Sequence, residues 1–177
     1  LVTPICVQYG VSSELVHETK ATPIRVLFLG DFPKGASDLS FQGDVRDLLL
    51  KMITAMKLKP EEFALSTIVK HHKVPDGKMK ELGRESLPLV LHEIHYYRPQ
   101  IVVTLGAFAT SVILGTEDRL SSIHGEYFER ETVSDLGTKH AYQIMPIFHP
   151  EFLLINPNMK KTTWTDLQKA MKILGLL

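Results

Sequence analysis

The residues best placed to do chemistry in this chain stand where apolar runs end. The stretch "FHPEFLLINP", Phe148 to Pro157, puts His149 and Pro150 directly behind the run "IMPIF", adds the carboxylate of Glu151, and then two leucines before an Asn-Pro stop. A histidine in that place either caps a strand end or supplies a side chain whose charge and tautomer change near neutral pH. Gly30 and Asp31 stand in the same way behind "IRVLFL", and Phe41 follows eleven residues after Gly30. An aspartate there either caps a turn or, at the mouth of a pocket, orients a water or stabilises positive charge on a sugar. Phe41 is either core or a platform on which a base stacks. The run "KHHK", 70–73, raises the question of a metal, but adjacent histidines on an extended strand point to opposite faces. No cysteine or His-x-x-x-His partner supports zinc. Neither a GxGxxG nor a GxxxxGK[ST] pattern is present, so dinucleotide and P-loop chemistry are not supported.

Composition narrows the classes further. The 177 residues suit one domain with a sizeable core, and one domain over 1–177 is expected. Twenty basic residues balance twenty acidic ones, so any nucleic-acid binding must come from a local patch rather than a global field. Cys6 is the single cysteine, which excludes an internal disulfide and a multi-cysteine zinc or iron-sulfur site built from this sequence alone. No apolar run approaches the roughly 18 residues that span a bilayer, and no signal pattern opens the sequence, so a soluble cytoplasmic protein is expected.

The elements that must position these residues follow from periodicity. "IRVLFLG" (24–30) and "QIVVTLG" (100–106) read as strands buried on both faces and closed by glycine. "FALSTIVK" (63–70) reads as a strand between them. Val45, Leu48, Leu49, Met52, Ile53 and Met56 recur at helical spacing behind Asp44, the expected N-cap. "RESLPLVLHEIHYYR" is expected to be helical, with Pro88 near its first turn or kinking it. "AFATSVILG" reads as a short helix, "SDLG" as the turn of a hairpin leading into the last strand, and "TTWTDLQKAMKILGLL" as an amphipathic C-terminal helix. Strands alternating with helices predict an α/β/α sandwich, a three-layer fold around a mostly parallel sheet. Ligands of such sheets bind at the carboxyl ends of the strands. The segments 30–35, 70–74, 106–110 and 149–154 should therefore converge on one rim.

Three motifs, in order and over about residues 24–175, resemble the uracil-DNA glycosylase superfamily, closest to its family-4 type. The family's GEAPG, PFVG and Leu-rich helix correspond to "GDFPKG", "SFQG" and "LLLKMI"; VALGATAAQALLG corresponds to "VVTLGAFATSVILG" (102–115). HPSALLRNP followed by W-x-DL corresponds to "HPEFLLINPNMKKTTWTDL" (149–167). The resemblance implies that His149 donates to the uracil O2, that Leu153 wedges into the duplex, and that Phe41 stacks on the base. It implies that Asp31 stands near the attacking water and sugar, with Gly30 and Pro33 shaping that loop. The departures are specific. His71 and Ser86 occupy two positions of the family's cluster cysteines, so no iron-sulfur cluster and no other cofactor is expected. Thr67 takes the place of the asparagine that reads the base edge, Glu151 that of a phosphate-facing serine, and Ile155 that of an arginine.

Two functions follow. One is a metal-free monofunctional DNA glycosylase, acting in base excision repair on uracil or a related deaminated base in damaged or single-stranded DNA. Lys160 and Lys161 would hold phosphate, and a monomer is expected. The other is a superfamily member with lost or altered chemistry that serves as a nucleic-acid- or protein-binding module.

Overall fold

The computed structural model describes residues 23–31, 41, 43–70, 74–134 and 137–177. Pro33 and His71 lie outside the described residues, as does the rest of "KHHK" beyond Lys70. Five strands form one sheet: β1 (Val26–Gly30), β2 (Phe63–Thr67), β3 (Ile101–Leu105), β4 (Phe128–Val133) and β5 (Lys139–Ile147), in the order β2-β1-β3-β5-β4. The first four in that order run parallel, and only the edge pair β4–β5 is antiparallel. That pair is the expected hairpin; its arms meet at Val133 opposite Lys139, and Gly137 N–H donates to the Ser134 carbonyl.

The helices are α1 (Gly43–Ala55), α2 (Met79–Tyr97), α3 (Ala107–Leu114), α4 (Leu120–Ile123), α5 (Pro150–Ile155) and α6 (Met159–Ile173), with a 3₁₀ turn at Pro60–Glu62. The period of two along the strands decides which helix goes where. Val26, Phe28, Ile101 and Val103 face one side, where they pack with Leu49 and Ile53 of α1 and Leu167 and Met171 of α6. Leu27, Leu29, Val102 and Ile144 face the other, where Val90 and Ile94 of α2 and Ala109 and Ile113 of α3 cover them. Both faces are covered, which makes the predicted α/β/α sandwich.

Three local expectations are corrected. Asp44 is not the cap of α1 but sits in its first turn, where a carboxylate still meets the positive end of the helix dipole. Pro88 lies well inside α2 because that helix begins earlier, at Met79. Pro88 and Arg84, four residues before it, are both exposed, so the proline stands on the outer face of the helix, where its ring displaces no core contact. Strand β2 stops at Thr67 rather than Lys70, level with Gly30 at the end of its partner β1.

The chain moves from β1 to β2 on one side and then crosses to β3 on the other. The switch point therefore lies between β1 and β3, and the crevice expected there opens at the exits marked by Gly30 and Gly106.

Candidate active site

Four strand exits meet at that crevice. At the exit of β1, the Asp31 carboxylate accepts the Ala109 N–H of α3 across the switch point, at 3.3 Å. Its carbonyl accepts Val69 N–H at 2.9 Å, just as the Gly30 carbonyl accepts Ile68 N–H at 2.8 Å. Asp31 is thus fixed from both sides, by the first turn of α3 and by the chain leaving β2. The residue as a whole is half-buried.

Phe41 lies directly over Gly30. A Cβ added at Gly30 would stand 2.6 Å from the Phe41 ring, so only glycine lets the aromatic close down on the strand. Phe41 is 3% exposed and belongs to the core on the α1 face, and its ring also stacks on the imidazole of His149, with centroids 6.1 Å apart and planes 28° apart. Core packing and a place in the site are therefore one position.

His149 stands two residues beyond the end of β5 and caps α5. Its Nδ1 accepts the Glu151 N–H at 3.1 Å, and Pro150 at the first helical position has no N–H to satisfy. A ring nitrogen that accepts cannot carry the proton, so the neutral imidazole holds it on Nε2. On its other side His149 presses on the exit of β3. Gly106 has φ +93°, and a Cβ there would come within 3.1 Å of His149 Cβ. Gly106 opens the rim segment 106–110, and its place as the glycine that closes β3 is the sequence signal for this contact.

Thr67 is paired with Gly30 in the sheet, so the structure does bring it to the rim. Its side chain is fully buried, and its hydroxyl donates to the Val69 carbonyl at 2.9 Å. What remains for a ligand is acceptor capacity only.

Leu153 lies on the buried side of α5. It is 1% exposed, whereas Leu154 is 38%, Phe152 40% and Ile155 76% exposed. The reason is helical: α5 begins at Pro150, and a spacing of three puts Leu153 on the same inward stripe as the buried Pro150. Lys160 and Lys161 are both exposed, in the first turn of α6, which contains no acidic residue.

The iron-sulfur cluster associated with the family-4 resemblance does not fit this site. Ser86 is buried and accepts the backbone N–H of Lys70 at 3.3 Å, Cys6 is the single cysteine of the sequence, and a hydroxyl is a poor substitute for a thiolate. Among the described residues no group of three or more His, Cys, Asp or Glu is placed to hold a metal ion, and no helix is long and apolar enough to cross a membrane.

A family model described as the uracil DNA glycosylase superfamily matches residues 17–168. The chain belongs to the uracil DNA glycosylase superfamily. Among similar proteins, a type-4 uracil-DNA glycosylase of Archaeoglobus fulgidus is 24% identical over 179 residues, covering 90% of this chain and 86% of that protein. A type-4 uracil-DNA glycosylase of Saccharolobus solfataricus is 24% identical over 85% of this chain and 72% of its own length, and one of Sulfurisphaera tokodaii is 25% identical over 84% and 70%. The rim just described falls within the matched region.

Proposed function

We propose that this superfamily member excises a deaminated base, uracil or a relative, from DNA by hydrolysing its N-glycosidic bond. The observation that carries the reading is the hydrogen bond at His149 Nδ1. That atom is occupied by the Glu151 N–H, so a neutral ring offers an Nε2–H donor beside Phe41 and the exit of β1, and no proton need be taken up first.

A base leaving the stack enters the crevice and stacks on Phe41. As the bond from the sugar C1′ to the base nitrogen breaks, its electron pair moves into the base, and His149 Nε2–H donates to the carbonyl oxygen where that charge collects. Asp31, held by Ala109 and Val69, orients the water that adds to C1′ and stabilises the cationic sugar. Hydroxyl from that water ends on the sugar and a proton ends on the base. Gly30 lets Phe41 close over the strand exit at which this happens. Thr67 contributes an acceptor at most, so selection among deaminated bases is looser than an amide would make it.

With Leu153 turned inward, the gap left in the duplex falls to the exposed Leu154 and Phe152. Lys160 and Lys161 take the neighbouring phosphate, because a helix N-terminus bearing two lysines and no acid favours an anion from outside. The second reading, a binding module without chemistry, draws on Glu151, an exposed carboxylate beside His149 that opposes phosphate.

Oligonucleotides containing uracil, hypoxanthine or xanthine, incubated with the protein and treated with alkali, separate the two. Strand cleavage dependent on Asp31 and His149 is the expected result. No abasic product from any of the three, with DNA still bound, would favour the binding module. Leu154→Ala should slow excision from duplex more than from single strands.

A further inference from the structure

A buried ion pair stands behind the site, and the excision chemistry makes no direct use of it. Lys70 is the third residue after β2, and its side chain is only 2% exposed. Its Nζ donates to Glu93 Oε2 of α2 at 2.7 Å and to Ser66 Oγ at 2.6 Å, while Ser66 Oγ donates to the same carboxylate oxygen at 2.7 Å. The backbone N–H of Lys70 is taken by Ser86, also on α2. An ammonium is rarely buried so deeply, and it persists only where acceptors replace its water. Main chain and side chain of one residue are thus both tied to α2.

What lies between this anchor and the sheet gives it a role. Ile68 and Val69 are the two residues between β2 and Lys70, and their N–H groups are the donors to the carbonyls of Gly30 and Asp31. The ladder between β1 and β2 ends at Gly30 opposite Thr67. These bonds carry the pairing past the last strand residue, to the aspartate itself. We infer that Lys70 and Glu93 are positioning residues for Asp31, holding the segment 68–70 so that it presents two donors to the exit of β1. The inference rests on the hydrolytic reading for its consequence in rate, but not for its consequence in structure.

Amide hydrogen exchange and single-turnover excision of uracil from an oligonucleotide, on Lys70→Met and Glu93→Gln, test it. In Lys70→Met, exchange at Ile68 and Val69 should speed up by about tenfold, the scale of one weakened hydrogen bond, while amides of β3 keep their protection. Excision should slow by a similar factor in kcat, with KM and DNA affinity unchanged. Glu93→Gln removes the charge that holds the buried ammonium and should give the same local pattern at both amides and in rate, which covers the case in which Lys70→Met does not fold. Unchanged exchange at Ile68 and Val69 would overturn the inference, as would equal loss of protection across the whole sheet, which a general stabilising role predicts. If the wild-type protein excises no base, the hydrolytic reading fails while the exchange result still decides this one.

Discussion

Two histidines flank Phe148, and they face opposite demands. His124 packs its ring against Phe148 at 4.7 Å and places Nδ1 2.7 Å from Asp166 Oδ2, a carboxylate 3% exposed on α6. A carboxylate only accepts, so His124 Nδ1 must donate. His149, the next residue after Phe148, meets a backbone N–H with the same atom and must accept. One ring commits its Nδ1 proton to a structural bond between the loop before β4 and helix α6; the other accepts at Nδ1, which leaves the proton of a neutral ring on Nε2. The partner at Nδ1, rather than the residue type, separates a scaffold histidine from a candidate catalytic one.

The comparison can be broken at several points. His149→Ala should lower the excision rate by about a hundredfold or more, the scale of one lost oxyanion donor, with DNA affinity nearly unchanged. His124→Ala should leave that rate near the wild-type value well below its unfolding temperature. If the two substitutions slow excision equally, the division of roles is wrong.

Stability should show the converse. Asp166→Ala leaves His124 Nδ1 and Lys169 Nζ, 3.8 Å from Asp166 Oδ1, without their carboxylate. We expect a cost of about 1–3 kcal/mol in chemical denaturation, more than His149→Ala causes by uncapping the short helix α5. An Asp166 variant as stable as the wild type would show that the buried carboxylate contributes little to holding α6.

Smaller effects should appear around the His149 cap. Glu151→Ser removes an exposed negative charge next to the proposed phosphate path and should tighten DNA binding modestly at low salt, with a gain that shrinks as salt rises. Lys160→Ala with Lys161→Ala should weaken binding and flatten its salt dependence. Titrations at two salt concentrations check both, and insensitivity to all three residues would place DNA elsewhere on the surface.

The smallest effect concerns a third histidine. Burial pushes the pKa of His140 below its ordinary 6.5, against an opposing pull from its bond to the Pro99 carbonyl, and Arg98 and His95 add to the lowering. The folded state then binds that proton less readily than the unfolded chain. Its contribution to stability is therefore present above about pH 6.5 and is lost as pH falls toward the lowered value. His140→Gln should make thermal stability slightly less sensitive to acidification across that range; an unaltered pH profile would remove His140 from the account.

Much of this arrangement was legible in the sequence because it is local. The apolar runs of β1 and β3 end in glycines that mark the rim, and the order of strands and helices allowed few topologies other than the one observed. What escaped depends on partners distant along the chain or on where a helix starts. Lys70 closes the expected strand 63–70 and heads a row of basic side chains, with nothing local to mark it as buried; its burial depends on Glu93, twenty-three residues away on α2. The inward turn of Leu153 depends on α5 starting at Pro150. Thr67 is turned inward by a bond to Val69, which forms because β2 ends where β1 does. His124 carried no informative spacing, since Asp166 stands forty-two residues later and meets it only when α6 packs on the sheet.

The most direct test of the central claim is the protonation of the two imidazoles in the folded protein near neutral pH, read from their ring-nitrogen chemical shifts. The account predicts a neutral His149 with its proton on Nε2 and an unprotonated Nδ1, beside a His124 whose Nδ1 is protonated. A proton on Nδ1 of His149 would contradict it, because the ring could not then accept the Glu151 N–H, and no Nε2–H donor would be fixed at the exit of β5.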